Sequence, residues 1–333
     1  MALFFRKSKN ESVSGSTHDS TAPSKTKDSV PRETRIKTPT APRRAAYDTP
    51  DDFGTEDEYG FELEEEAPEL VLPRPDDPRV IVIANQKGGV GKTTTAVNIA
   101  MALALGGLNV LVVDIDPQGN ASTALGIDHP PGTQGTYQVL IEGREVIDLA
   151  QRSPHTPNLH VLPASIELAS AELELVNMSG REGRMKKALR RYIAESQVDY
   201  VLFDCPPSLG LLTLNALVAS TEIMVPIQCE YYALEGVTQL MDTIRRVKGN
   251  LNDELRLSTV LLTMFDSRNN LSHEVAREVR THFPQQTLGV EIPRSVRIAE
   301  APSYGETVLT YQPKSPGAVA YLKAAEQIAD AAR

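Results

Sequence analysis

Cysteine is scarce in this sequence, with two in 333 residues, and long apolar runs are missing. Cys205 and Cys229 form no C-x-x-C pair and stand in apolar or strand-like surroundings, so both are expected as reduced core residues. No apolar run approaches the ~18 residues of a membrane span, which argues against a transmembrane protein. The opening Met1-Ala2-Leu3-Phe4-Phe5-Arg6-Lys7 is too short for a signal peptide, and its basic residues follow the apolar ones instead of preceding them. Together these absences point to the cytoplasm. No internal repeat is present either. What remains is a chain with 41% hydrophobic residues, long enough for one large or two ordinary domains with a sizeable core.

A formal net charge of −10 speaks against nucleic acid only as an average. The first 46 residues carry ten Lys and Arg against four acids, a net of +6, and residues 47–77 carry thirteen acids against Arg74, a net of −12. That leaves −4 for residues 78–333, close enough to balance for a local basic face. Residues 1–77 are rich in Ser, Thr, Pro and charge and poor in aliphatics, so they cannot bury enough to repay ordering entropy. They are expected as a disordered, low-complexity extension, basic and then acidic, ahead of a domain over residues 78–333. The extension reads either as a solvated tail or as a two-signed interaction arm. Its one apolar turn, Met1 to Lys7, is too small for more than weak membrane contact.

The domain is organised around Asn85-Gln86-Lys87-Gly88-Gly89-Val90-Gly91-Lys92-Thr93-Thr94-Thr95. The stretch follows the apolar run Val80 to Ala84, which reads as a buried strand, and opens the alanine-rich helical stretch Ala96 to Leu105. Strand, glycine loop and helix make the setting of a phosphate-binding loop: glycines let backbone N–H groups turn toward an anion, and the helix N-terminus adds partial positive charge. Lys92 is expected to reach the β- and γ-phosphates, and the Thr93 hydroxyl to bind Mg²⁺. The strict G-x-x-x-x-G-K-[ST] pattern is not met, because its first Gly falls on Gln86, and a second lysine, Lys87, precedes the Gly pair. The plainer alternative is a glycine-rich turn with an incidental lysine.

Two acidic motifs follow. Val113-Asp114-Ile115-Asp116-Pro117-Gln118-Gly119 ends an apolar strand with carboxylates at i and i+2, on one face if the strand continues that far. One of the two is suited to support a metal shell and the other to orient an attacking water; the alternative is a pair of turn formers before Pro-Gln-Gly. Tyr200-Val201-Leu202-Phe203-Asp204-Cys205-Pro206-Pro207 is an apolar strand ending in Asp, the form of a carboxylate that holds Mg²⁺ through water. Strands are expected near 80–85, 109–114, 158–162, 199–204, 222–227, 257–263 and 287–292, with helices between most of them. The expected fold is therefore α/β, a mostly parallel doubly wound sheet with helices on both faces. Pro316 to Arg333 reads as a helix that turns Val319, Leu322 and Ile328 inward.

From Val80 to the C-terminus the chain resembles ParA-type partition ATPases, in the deviant Walker A branch of P-loop proteins. The resemblance rests on Lys87 to Thr94, Asp114 to Asn120, Phe203 to Pro207, Glu230-Tyr231-Tyr232-Ala233-Leu234-Glu235-Gly236, and Ile292-Pro293-Arg294-Ser295-Val296-Arg297-Ile298-Ala299-Glu300-Ala301-Pro302-Ser303. It implies ATP and Mg²⁺ as cofactors, with Lys87, Gly88, Gly89, Val90, Gly91, Lys92, Thr93 and Thr94 around the phosphates and Pro293 near the adenine. Thr93, Asp114 and Asp204 correspond to the metal side. Lys87 would be the signature lysine that crosses the interface of an ATP-sandwich homodimer, and Gly88 would lie at the close approach of the subunits. Lys87, Lys92 and Asp116 would be catalytic, Asp116 by activating water. Arg268 and Arg297 correspond to positions that hold nonspecific double-stranded DNA; the alternative for each is ordinary surface charge. The resemblance further implies a ParB-type centromere-binding partner that stimulates hydrolysis through a short basic peptide, and a location on the nucleoid. The long extension departs from the family pattern and is a candidate arm for a polar scaffold. The basic stretch Arg181, Arg184, Lys186, Lys187, Arg190 and Arg191 is read as a solvated helix face.

Three rivals share the branch. A MinD-like membrane-cycling ATPase needs a basic, bulky amphipathic C-terminal helix, whereas Ala320 to Arg333 is small and charge-balanced, so no stable membrane anchor is expected. An iron–sulfur protein needs paired cysteines in a cluster motif. A small-molecule ligase or synthase needs a substrate pocket for which the sequence gives no sign.

Overall fold

A computed structural model describes residues 70–231 and 233–331, with the side chains of residues 233–239 left aside. The expectations for residues 1–69 lie outside it. Eight strands form one sheet: β1 (Arg79–Ile83), β2 (Val110–Asp114), β3 (Gln151–Arg152), β4 (Leu159–Leu162), β5 (Tyr200–Asp204), β6 (Glu222–Gln228), β7 (Arg256–Phe265) and β8 (Thr287–Pro293). Their order is β3-β4-β2-β5-β1-β6-β7-β8. All neighbours pair in parallel except β3 and β4. The seven expected strands are present, and the two-residue antiparallel β3 is an addition too short to show in an apolar pattern.

The central strands are continuously apolar because helices cover both faces. Along β1, Val80 and Val82 enter the core on one side, with Leu240, Ile244 and Val275 of the helices Ala233–Asn250 and Asn270–His282. Ile81 and Ile83 enter the core on the other side, with α1 (Lys92–Leu105) and the helix Pro316–Asp330. β1 lies between β5 and β6, so the chain must cross to opposite sides of it, and the crevice at the carboxyl ends of such strands is where ligands gather.

Two expectations about packing change. In the helix Pro316–Asp330, Ile328 is buried and Leu322 partly so, but Val319 is 40% exposed. The inward face is taken by Tyr321, Ala324, Ala325 and Ile328, spaced i, i+3, i+4 and i+7, which leaves Val319 out of phase. Residues 70–77, grouped by composition with the extension, belong to the folded body. Leu72 is buried against Gly106 and donates its N–H to the Gly106 carbonyl at 2.9 Å. Arg74 pairs with Asp199 at 2.8 Å, and the same carboxylate accepts the Asn109 N–H at 2.7 Å. No helix of the described residues is long and apolar enough to cross a membrane.

Removing the Leu72 side chain should therefore destabilise the domain: Leu72→Ala, or a chain beginning at residue 78, is expected to cost about 2 kcal/mol and about 4–8 °C of melting temperature. Calorimetric melts of the two against a chain beginning at residue 70 would check this, and equal midpoints would return these residues to the extension.

Candidate functional site

The glycine loop between β1 and α1 is fixed at both limbs. On the entering limb the Asn85 amide donates to the Pro226 carbonyl of β6 at 2.8 Å, and its oxygen accepts the Lys87 backbone N–H at 3.0 Å. On the leaving limb Val90 is buried, and its carbonyl accepts from the Thr263 hydroxyl of β7 at 2.9 Å. Between them the chain turns through Gly89 at φ 76° and Gly91 at φ 87°, left-handed values that a side chain would strain. Nothing lies within 4 Å of where a Cβ would stand on Gly88 or Gly89, so the loop is open above them. α1 begins at Lys92 with no acid in its first turn and no side-chain cap. Its first N–H groups are thus left for an anion.

Two buried carboxylates stand behind the loop. Asp204, the last residue of β5, pairs in register with Ile83 of β1 on one side and Asp114 of β2 on the other. Neither Asp204 oxygen has a hydrogen bond of ordinary geometry, although the Thr93 hydroxyl is near enough to ease its charge. Burial, and then repulsion from Asp114, push the Asp204 carboxyl well above the usual range. Burial also raises Asp114, to about 6, against the pull of Ser122. The Ser122 N–H and hydroxyl donate to Asp114 Oδ2 at 2.8 and 2.7 Å, and the Asp116 N–H donates to Oδ1 at 3.2 Å. Both Asp114 oxygens are therefore engaged in bracing the turn that carries Asp116 and the start of α2 (Asn120–Ala124).

β2 ends at Asp114, so Asp114 and Asp116 do not share a strand face. Asp116 sits in a turn, where its Oδ1 accepts the Gln118 N–H at 3.0 Å and its carbonyl accepts the Gly119 N–H at 2.9 Å. Its charge still acts on both Lys92 and Asp204, so the turn holds it at the site. Lys92 is buried; desolvation lowers its pKa against the attraction of Asp204, and its Nζ donates to the Lys87 carbonyl at 3.3 Å.

A buried carboxylate without a hydrogen bond, beside a hydroxyl and a lysine and under an open glycine loop, fits a divalent cation carrying phosphate. Among the described residues no group of three or more His, Cys, Asp or Glu is placed to hold a metal by itself. That agrees with Mg²⁺, which is held by one or two carboxylates together with substrate phosphates. Cys205 and Cys229 are buried free thiols, both pushed up by burial, Cys229 to about 12.

A cavity of about 270 Å³ opens beside the loop, walled by residues that include Gly91, Thr94, Met264, Pro293, Arg294 and Tyr321. Pro293 thus shares a cavity wall with Gly91 and Thr94 of the loop. Met264, at φ 51°, is the one non-glycine residue with positive φ among the described residues, a strained backbone at the cavity wall. Lys87 Nζ lies 3.4 Å from Glu230 Oε2, while Glu230 Oε1 accepts from the Gln228 amide at 2.5 Å and from Arg294 at 3.3 Å.

Each of the two candidate DNA-binding arginines pairs with a carboxylate other than Glu230. Arg268 has a side chain 88% exposed and pairs with Asp266 at 3.0 Å; Arg297 is exposed and pairs with Glu300 at 2.9 Å. They share an origin, since Phe265 of β7 pairs in register with Pro293 of β8 and each arginine follows within four residues. The basic stretch on the helix Arg184–Glu195 is a partnered surface: Arg184 donates to the Leu140 and Ile141 carbonyls, Lys186 pairs with Glu254 and Arg191 with Glu145, while Met185, Leu189 and Tyr192 are buried. Sequence reasoning did not single out Ser122, Thr263, Met264 or the Glu230 contacts. Glu230 and Arg294 lay inside quoted motifs, but the contact between Glu230 and Lys87 spans 143 positions, and nothing local signals it.

Residues 78–257 match a family model described as an AAA domain. The sporulation initiation inhibitor protein Soj of Bacillus subtilis is 49% identical over 251 residues, 75% of this chain and 98% of that protein. The chromosome partitioning protein ParA of Caulobacter vibrioides is 50% identical over 250 residues, 75% of this chain and 93% of that protein. Among solved structures, a cobyrinic acid a,c-diamide synthase from Mycobacterium smegmatis, with bound ATP analogue and magnesium, superposes with TM-score 0.65 at 38% identity over 75% of this chain and 94% of its own. The cell division ATPase MinD of Pyrococcus furiosus is more remote, with TM-score 0.63 at 26% identity over 76% of this chain and 99% of its own. With about half of the aligned residues identical to Soj and ParA over nearly the whole lengths of those proteins, the chain belongs to the Soj/ParA family of chromosome-partitioning proteins.

Proposed function

We propose that this protein is an ATP-dependent DNA-partitioning ATPase whose ATP-bound homodimer holds DNA nonspecifically and lets go on hydrolysis. The observation that carries the reading is Lys87, a second lysine in a glycine loop that already has Lys92 for its own phosphates. A half-exposed cation at the lip of the loop, next to Gly88 with open space above it, suits action on the nucleotide of a second copy. Supplied from outside, it stabilises transferred charge as an arginine finger does, and hydrolysis then depends on dimerisation.

Within one subunit, Gly88 to Thr94 would cradle the phosphates through backbone N–H groups, with Lys92 contributing its charge and the cavity at Pro293 receiving the adenine. Thr93 and Asp204 would hold Mg²⁺, with Asp114 supporting them from behind. Bound there, Mg²⁺ would neutralise developing phosphate charge. Asp116, held by its turn, would orient the attacking water. Arg268 and Arg297 would take DNA phosphates, a sequence-independent and salt-sensitive contact. A ParB-type partner that stimulates hydrolysis, a cytoplasmic location on the nucleoid and a scaffold contact through residues 1–69 complete the reading.

The rival readings are less well supported. A MinD-like cycle needs an apolar helix face left for lipid, whereas the helix Pro316–Asp330 turns Tyr321 and Ile328 into the core. A synthase reading follows the name of the 38%-identical structure, but identity to partition proteins is higher over the same share of the chain. Sedimentation with plasmid DNA and with liposomes, each with and without ATP, separates the three: ATP-dependent DNA retention alone is expected, and liposome retention or neither would reject the partition reading.

Lys92→Ala should abolish nucleotide binding in calorimetry; unchanged affinity would remove the phosphate-loop assignment. Asp116→Ala should keep ATP binding and dimerisation while turnover drops by at least about a hundredfold. Wild-type turnover in that variant would overturn the role of Asp116. Reversing Arg268 and Arg297 to Glu should abolish DNA retention with ATP-induced dimerisation intact. Singly, Arg268→Ala or Arg297→Ala should reduce the slope of log affinity against log salt by about one for each lost phosphate contact.

A further inference from the structure

Glu230 gathers more positive and donor groups than nucleotide binding explains. Lys87 from the glycine loop meets one of its oxygens at 3.4 Å, and Arg294 from the cavity wall meets the other at 3.3 Å. The Gln228 amide, donating at 2.5 Å, orients the carboxylate between them. The backbone of Lys87 is already pinned by Asn85, so Glu230 is what fixes the side chain. Both members are partly open to solvent, with side-chain exposures of 34% for Lys87 and 46% for Glu230, so the pair is breakable.

A lysine that acts on the nucleotide of a second subunit has to leave the carboxylate of its own. We propose that Glu230 is a positioning residue that holds Lys87 back against its own subunit, so that the lysine crosses only when the more highly charged phosphates of a second copy compete for it. Glu230 thereby raises the protein concentration at which ATP drives dimerisation, and it does so through Lys87. Arg294 and the Gln228 amide keep the carboxylate in place after the lysine departs, so release leaves no unpaired charge behind. The inference rests on the sandwich-dimer reading above and adds to it the residue that restrains the crossing lysine.

The test is ATP turnover as a function of protein concentration in the full chain, for the wild type, Glu230→Gln, Lys87→Ala and the double variant. An exposed ion pair shifts an equilibrium by between about 1.4-fold and fivefold, and a dimer has two, so the concentration for half-maximal turnover should fall between roughly twofold and twenty-five-fold in Glu230→Gln. The plateau rate should stay near that of the wild type, and the double variant should behave as Lys87→Ala. An unchanged or raised half-maximal concentration in Glu230→Gln overturns the inference, as does a fall in the concentration for ATP-driven dimerisation, read by light scattering, that persists when Glu230→Gln is set in the Lys87→Ala background, since the carboxylate would then act by plain repulsion. Glu230→Ala serves as the second variant, because a half-exposed position tolerates both changes and the two should shift turnover alike. If Lys87→Ala alone turns over as the wild type does, the dimer reading fails; if Lys87→Ala is slow and Glu230→Gln matches the wild type, only the role of Glu230 fails.

Discussion

A carboxylate sealed inside a protein without a hydrogen bond is costly, and Asp204 is in that position at the carboxyl edge of the sheet. Its neighbours can be understood as responses to it. Lys92 is drawn toward it although burial disfavours its own charge. Asp114, the register partner on β2, cannot help, because a second buried carboxylate only adds repulsion, and its oxygens are accordingly occupied by Ser122 and Asp116. Thr93 supplies the nearest hydroxyl. A cation bound there would meet the deficit, and the open glycine loop above supplies the place where its phosphates would rest.

The sheet keeps this arrangement in register. β1, β2 and β5 end side by side, so the loop, the Asp116 turn and Asp204 leave the sheet at one level. The loop then draws on strands it does not belong to: Pro226 of β6 holds Asn85, and Thr263 of β7 holds Val90. Three strands, β1, β6 and β7, thus hold the glycine loop, while β2 and β5 carry the acidic residues beside it.

Much of this was legible in the sequence, and the limits have physical causes. Buried parallel strands are apolar on both faces, so seven of them stood out as runs, while Gln151–Arg152 had no such run to offer. The positions of Lys92 and Thr93 at the start of a helix could be read because strand, loop and helix adjoin in the chain, and that of Asp204 because an apolar run ends in it. Whether Asp116 shares a strand face with Asp114 stayed open, since spacing alone does not say where pairing stops, and β2 ends at Asp114. Residues 70–77 were hidden by averaging, because one buried Leu72 and one paired Arg74 do not alter the composition of a long acidic stretch. Val319 was misplaced because a helix of alanines has a faint phase, which only Tyr321 and Ile328 make definite. The Glu230 junction and the strained Met264 arise where distant segments meet, and neither leaves a local trace.

The Leu72 and Arg74 attachments also settle where mechanical load enters the domain. Tension on the polypeptide ahead of Leu70 is taken up by Gly106, Asp199 and the leading end of β1, whereas the nucleotide loop springs from that strand's trailing end. Pull along β1 would load its parallel ladders with β5 and β6 in shear, at the end of the strand away from the glycine loop.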